Sequence, residues 1–167
     1  MYARNLAIAA GLVSVITATA VYANTTSAQE FVNKAAVANK FEIESSQLAL
    51  DKAQSDDVKL FARKMVDDHT KTGEQLKELL ANEDSKITAP TELDKKHQGL
   101  LDKLHASPAD TFDKIYVSMQ TDAHKEAVEL FSNYSERGKK GALKNFATET
   151  LPNLRDHLSH VQKLEVK

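Results

Sequence analysis

The sequence predicts an all-α chain: a ferritin-like four-helix bundle of two helical hairpins, with a short extra helix in the long crossover between them. Three observations predict it. Only five Gly and three Pro occur in 167 residues, among long runs of Ala, Leu, Lys, Glu and Gln, the residues that lose least on entering a helix. No stretch alternates apolar and polar residues as a half-buried strand does. Instead, small and apolar residues recur at alternating spacings of four and three in long segments, which two very short turns and one long connection join.

The chain opens on a segment that does not belong to this fold. Arg4 is followed by Leu6 to Val21 without a charge, and Val21-Tyr22-Ala23 offers small residues at the two positions a signal peptidase reads. The run fits a signal peptide better than a membrane span, which needs about 20 residues. Residues 1–23 therefore read as a cleaved signal peptide and 24–167 as a single helical-bundle domain with no stable transmembrane segment. A second cut after Ala28, at Thr26-Ser27-Ala28, and an uncleaved amino-terminal anchor are the alternatives. The expected location is the periplasm, the outer membrane or the exterior.

The chain holds no Cys, which excludes lipid attachment through a lipobox, disulfides and thiolate metal ligands. Stability must come from the core, which one domain of this size can supply. The formal net charge is −2 at pH 7 and becomes one more negative once Arg4 leaves with the leader. Charges of both signs are interspersed, and no basic face or series of stacking aromatics appears, so nucleic acid is not an expected partner. An envelope protein partner remains open, and the oligomeric state is not encoded in any pattern found.

The elements follow in order. Ser27-Ala28-Gln29-Glu30 reads as a capping box that opens a helix over 28–53. Ser55 with Asp56 and Asp57 caps a second, to 81, after a turn so short that the two must be antiparallel neighbours. Residues 82–90 are polar and helix-breaking, and Thr91-Glu92-Leu93-Asp94 restarts a short helix that ends near His105. Ser107-Pro108 then supplies an N-cap and a first-turn proline. The fourth helix spans 109–136 and ends near Gly138, and the fifth spans 140–164. Pro152 lies inside the fifth helix, removing one backbone donor; it either adjusts curvature or turns His157 inward.

Polar residues break the seams of these helices. The second helix gives Val58, Ala62, Met65, His69, Thr72, Leu76 and Leu79, and the fifth gives Leu143, Ala147, Thr150, Leu154, His157, Val161 and Leu164. The first gives Phe31, Ala35, Ala38, Glu42, Ser45 and Ala49, small residues that leave room around Glu42. The fourth shows an apolar face of Phe112, Tyr116, Met119, Ala123, Leu130 and Tyr134, which places His124 on the flank beside Val117, Val128 and Phe131. That flank is a candidate hydrophobic partner surface.

Depth agrees with periodicity. At a rise of ~1.5 Å per residue, Glu42 and His69 both fall roughly 18 to 22 Å from the first hairpin turn, and His124 and His157 roughly 22 to 27 Å from the second. All four residues therefore sit near mid-height of the bundle.

These residues resemble a known family. Phe31-Val32 with Ala35-Ala36, Glu42-Ile43-Glu44 leading to Leu48-Ala49, Phe61-Ala62 leading to Met65-Val66-Asp67-Asp68-His69, Phe112-Asp113 with Tyr116, His124, and Leu151-Pro152 followed by His157-Leu158 are similar to the bacterial ferritin-like "domain of unknown function four-one-four-two" proteins. Many of those are carried as exported or outer-membrane proteins. The resemblance spans about 29–162 and implies a four-helix ferritin-like domain in the cell envelope. It implies no established reaction.

A carboxylate with up to three imidazoles can hold a divalent transition metal, Zn, Fe, Mn or Cu, so Glu42, His69, His124 and His157 are candidate ligands. Asp68 or Asp122 would fix an imidazole tautomer from outside. The di-iron pattern of ferritin-like proteins asks for Glu-x-x-His on two helices, whereas the residues three before His69, His124 and His157 are Val66, Thr121 and Leu154. The metal-free alternative is a buried hydrogen-bonded network in which ionised Glu42 accepts from protonated His69 or His157 and titrates with pH.

Other candidates are weaker. His97 and His105 read as solvated, His160 as an outer-face residue, Met65 and Met119 as packing, and Tyr116 and Tyr134 as core residues able to complete the polar cluster. No hydrolase triad or phosphate-binding loop appears. The leading functional expectation is a non-enzymatic exported bundle, acting in stress tolerance or as an interaction module. The alternative is a metal-binding or metal-dependent redox protein.

Overall fold

The computed structural model describes residues 26–82 and 86–166. The leader and the expected cut after Ala23 lie outside the described residues. Among those described there are five helices and no strand: α1 (Ala28–Lys52), α2 (Asp56–Asn82), α3 (Lys95–His105), α4 (Ala109–Arg137) and α5 (Ala142–Val161). No helix among the described residues is long and apolar enough to cross a membrane.

Helix ends follow the caps closely, with three differences. Ser27 Oγ accepts from Glu30 N–H (3.2 Å), as a capping box requires, but the Glu30 carboxylate accepts from Lys34 Nζ one turn on (2.7 Å). The crossover helix starts at Lys95, because Asp94 itself is the N-cap and accepts from His97 N–H (2.8 Å). Ser107 does not cap α4: its hydroxyl turns back and donates to Leu104 O at the end of α3 (2.6 Å), leaving Pro108 as an N-cap with no side-chain bond.

The two ends of the bundle fix its topology. Asp113, near the start of α4, accepts from the backbone N–H groups of Gln54 and Ser55 in the α1–α2 turn (3.1 and 2.8 Å). At the opposite end the Phe31 ring stacks on Tyr134, with centroids 4.0 Å apart. Thus α1 runs up, α2 and α4 run down and α5 runs up, with the crossover climbing the outside of the bundle. α1 packs on α2 and α4, and α5 on α4 and α2, so every packed neighbour among the four long helices is antiparallel, while α3 lies parallel to α1.

The core divides into two apolar clusters. One end holds Phe31, Leu76, Phe131, Tyr134, Phe146 and Leu154 among others; the other holds Val58, Phe61, Met65, Leu104, Phe112, Tyr116 and Val161. Each large side chain so buried contributes about 1.5 to 3 kcal/mol. Along every long helix the seam crosses from one cluster to the other at a buried polar residue: Glu42 and Ser45 on α1, His69 on α2, Gln120 and His124 on α4, His157 on α5. A polar layer therefore spans the bundle at mid-height.

Helix α4 departs from its expected orientation. Its buried residues are Phe112, Tyr116, Gln120, His124, Phe131 and Tyr134, so the seam passes through Gln120 and His124, one residue round from Met119 and Ala123. The reason is that α4 has two covered sides. Ala123 and Leu130 face a groove beneath the crossover, while the more polar side faces the bundle centre. The expected hydrophobic flank is accordingly not free: Phe131 is buried, and Val117 and Val128 are partly buried against the two clusters.

Candidate metal centre

One ring nitrogen from each of His69, His124 and His157 lies within 4.8 Å of the other two. The three rings belong to three helices, and their centroids are 5.5 to 5.7 Å apart. All three side chains are buried, His124 completely.

Each ring is held from behind by an acceptor. His69 Nδ1–H donates to Asn39 Oδ1 on α1 (3.1 Å), His124 Nδ1–H to the backbone carbonyl of Gln120 (2.9 Å), and His157 Nε2–H to Asp68 Oδ2 on α2 (2.9 Å). An acceptor oxygen on one nitrogen assigns the proton there and leaves the lone pair on the other. The nitrogens left over, His69 Nε2, His124 Nε2 and His157 Nδ1, are buried and have no hydrogen-bond partner. Three unpartnered ring nitrogens are thus buried in the one polar layer.

Electrostatics agree with neutral rings at His69 and His157. Burial, reinforced by His124 and His157, pushes His69 well below the ordinary histidine value. Burial likewise pushes His157 down to about 4, against the bond to Asp68 that favours its charged form. Partial burial raises Asp68, but hydrogen bonds from Lys64 and His157 outweigh it and keep the carboxyl below its usual range.

Glu42 lies beside this triad and is not one of its three converging groups. Its Oε1 is 3.6 Å from His124 Nδ1, its Oε2 is buried without a partner, and burial raises its pKa. The expected pairing of Glu42 with His69 or His157 is therefore corrected to a contact with His124, which α4 brings in by presenting its polar side. Asp122 is corrected too: it is solvent-exposed and pairs with Lys125 (3.3 Å), away from every imidazole. Gln120 is a polar residue the apolar pattern hid. Its amide donates to Ser45 Oγ (3.1 Å), and its Oε1 is buried without a partner.

Two further residues escaped the sequence pattern. Asn39 lies beside the α1 seam, and nothing in its spacing marks it as a partner of His69. Gly73, one turn after His69, makes room for it: a Cβ there would stand 2.8 Å from Asn39 Nδ2. A glycine inside a helix of good helix formers was the available signal. Of the remaining candidates, His105 is exposed as expected, whereas His97 is only 15% exposed, packs on Phe41 and is bonded to Asp94. His160 is half-buried with its ring against Phe61. Tyr116 shares a hydrogen bond with Ser46 (2.8 Å) inside the upper cluster.

The fold and site define a helical bundle with a histidine layer, and the comparisons give it a family. The chain belongs to the family described as "Domain of unknown function (DUF4142)", whose model matches residues 14–164. Among solved structures it is similar to a DUF305 protein of Streptomyces coelicolor assigned as secreted, with a TM-score of 0.63 at 16% identity over 82% of this chain and 89% of that one. At that identity the likeness concerns the fold. A search of curated proteins finds no match.

Proposed function

We infer that this is an envelope metal-binding protein, which holds one divalent first-row transition ion between His69, His124 and His157. The observation that carries the reading is the pairing of inner and outer nitrogens. Every ring gives its N–H to an acceptor behind it and keeps a buried, unpartnered lone pair in front. That is how metal-ligating imidazoles are oriented, by a carboxylate, a carbonyl or water at the far nitrogen. A hydrogen-bonded histidine network would place a donor between rings, and here no ring donates to another.

Three neutral imidazoles suit zinc, copper or iron better than magnesium or calcium. Ligand nitrogens ~2.0 to 2.1 Å from an ion stand roughly 3.3 to 3.6 Å apart, so loading requires the rings to close from their present spacing. The apolar leader and the secreted assignment of the structural neighbour support a location outside the cytoplasm. The reading favours the metal-binding alternative over a purely structural or interaction module.

The test is equilibrium dialysis of tag-free protein against Zn, Cu, Fe and Mn, with metal analysis and thermal melts, on wild type and His69→Ala. The expected result is one ion per chain, with a metal-dependent rise in Tm that the variant lacks. A protein that binds none of the four and melts at the same temperature with and without them would overturn the reading.

A further inference from the structure

The metal centre has an open side. A cavity of about 20 Å³ lies against His69 and His124 of the triad, lined also by Glu42, Leu76, Phe131 and Leu154. A space of roughly 10 to 15 Å³ by this measure suffices for one water, so the volume fits one small molecule and excludes a side-chain-sized one. Its walls are mostly apolar. Its polar lining residues include Glu42 and His69, whose Oε2 and Nε2 are buried and unpartnered.

A larger groove adjoins this cavity. A groove of about 840 Å³ runs between α1, α4 and the crossover. Ala38 and Ala127 line both the groove and the cavity, so two methyl groups stand between them. Both residues are half-buried, and each places only a methyl group between the two spaces.

Resting on the metal-binding reading, we propose that the ion keeps one exchangeable coordination position facing this cavity. The position takes a small ligand of one or two heavy atoms, neutral on entry, through the Ala38–Ala127 gap. The ligand class is that of dioxygen, nitric oxide or hydrogen cyanide. Three protein ligands with a vacant fourth position are the arrangement of reactive rather than structural sites. The apolar walls select against large or multiply charged ligands, because these would lose hydration without replacement.

The experiment uses cobalt(II)-loaded protein, whose visible spectrum reports coordination, titrated with cyanide and separately with imidazole. Cobalt content is measured before and after. The expected result is a saturable one-to-one spectral change with cyanide, cobalt retained, and at least about tenfold weaker binding of imidazole. Ala38→Leu and Ala127→Leu, on different helices, are each expected to keep one cobalt per chain and to bind cyanide at least about tenfold more weakly or slowly.

Full cobalt loading with a spectrum indifferent to cyanide would overturn the open position while leaving the metal-binding reading intact. Equal binding of cyanide and imidazole, or cyanide binding unchanged in both leucine variants, would overturn the confined cavity. A chain that takes up no metal ion would remove this inference together with the reading it rests on.

Discussion

Asp68 on α2 and His157 on α5 lie 2.9 Å apart across a helix interface, and Asp68 is the sequence neighbour of His69. One turn of α2 therefore contributes both a ring to the triad and the carboxylate that orients another ring. Lys64, one turn earlier, bonds the same Asp68 oxygen, so the carboxylate is held from its own helix as well as by His157.

Asp68→Asn tests that arrangement. The amide can still accept a hydrogen bond but carries no charge, and losing a carboxylate that holds the far nitrogen of a ligating imidazole costs about 10- to 100-fold in metal affinity. The expected outcome is weaker binding with unchanged stoichiometry, measured by competition against a chromophoric chelator. Affinity equal to wild type would show that Asp68 does not tune the site.

Gly73→Ala probes the same layer from the other side. The new methyl group would meet Asn39 Nδ2 at 2.8 Å, displacing the amide that orients His69. Alanine gains roughly 1 kcal/mol of helix propensity over glycine, so a rise in Tm of the metal-free protein would show that Asn39 yields easily. The expectation is the reverse: no gain in metal-free stability, and a loss of metal affinity that Asn39→Ala matches.

Metal should stabilise the folded chain by linkage. At a free concentration 100 times Kd the gain is about 2.7 kcal/mol, or roughly 5 to 10 °C in Tm for a domain of this size. His124→Ala and His157→Ala should each abolish most of that shift in differential scanning fluorimetry. A shift that survives both substitutions would place the ion elsewhere.

Without metal, acid should destabilise the protein. Folding holds His157 at about 4 against an ordinary value of 6.5 and lowers His69 as well. The unfolded chain therefore binds protons that the folded chain refuses, and this stability is present above about 6.5 and lost as the pH falls towards 4. Glu42 works in the opposite sense. Its raised value favours the folded state at low pH, a contribution that fades as the pH climbs above 4.5. With two histidines against one carboxylate, Tm should fall between pH 7 and 4, and His157→Gln should flatten the slope. A wild-type Tm constant over that range would contradict the assignment.

At the bundle end, Asp113→Ala should unpin the α1–α2 turn from α4. The carboxylate satisfies two backbone N–H groups, and bonds from backbone donors to a charged acceptor contribute about 1.5 to 3 kcal/mol. Chemical denaturation should report a loss of that order with metal affinity unchanged. A smaller loss would mean that water replaces the carboxylate.

Cap residues, spacing along a helix and residues counted from a turn are local quantities, so the helices, the two hairpins and the height of the polar layer were legible in the chain alone. His69 and His157 were legible as inward-facing because each replaces an apolar residue in a regular seam. The tertiary structure alone decided the role of His124, since α4 is covered on two sides and only the docking of the crossover settles which side faces the centre. It also decided what stands behind each ring. Asn39, the Gln120 carbonyl and the space left by Gly73 act across helix interfaces or through the backbone, and hydrophobic periodicity carries no record of such partners.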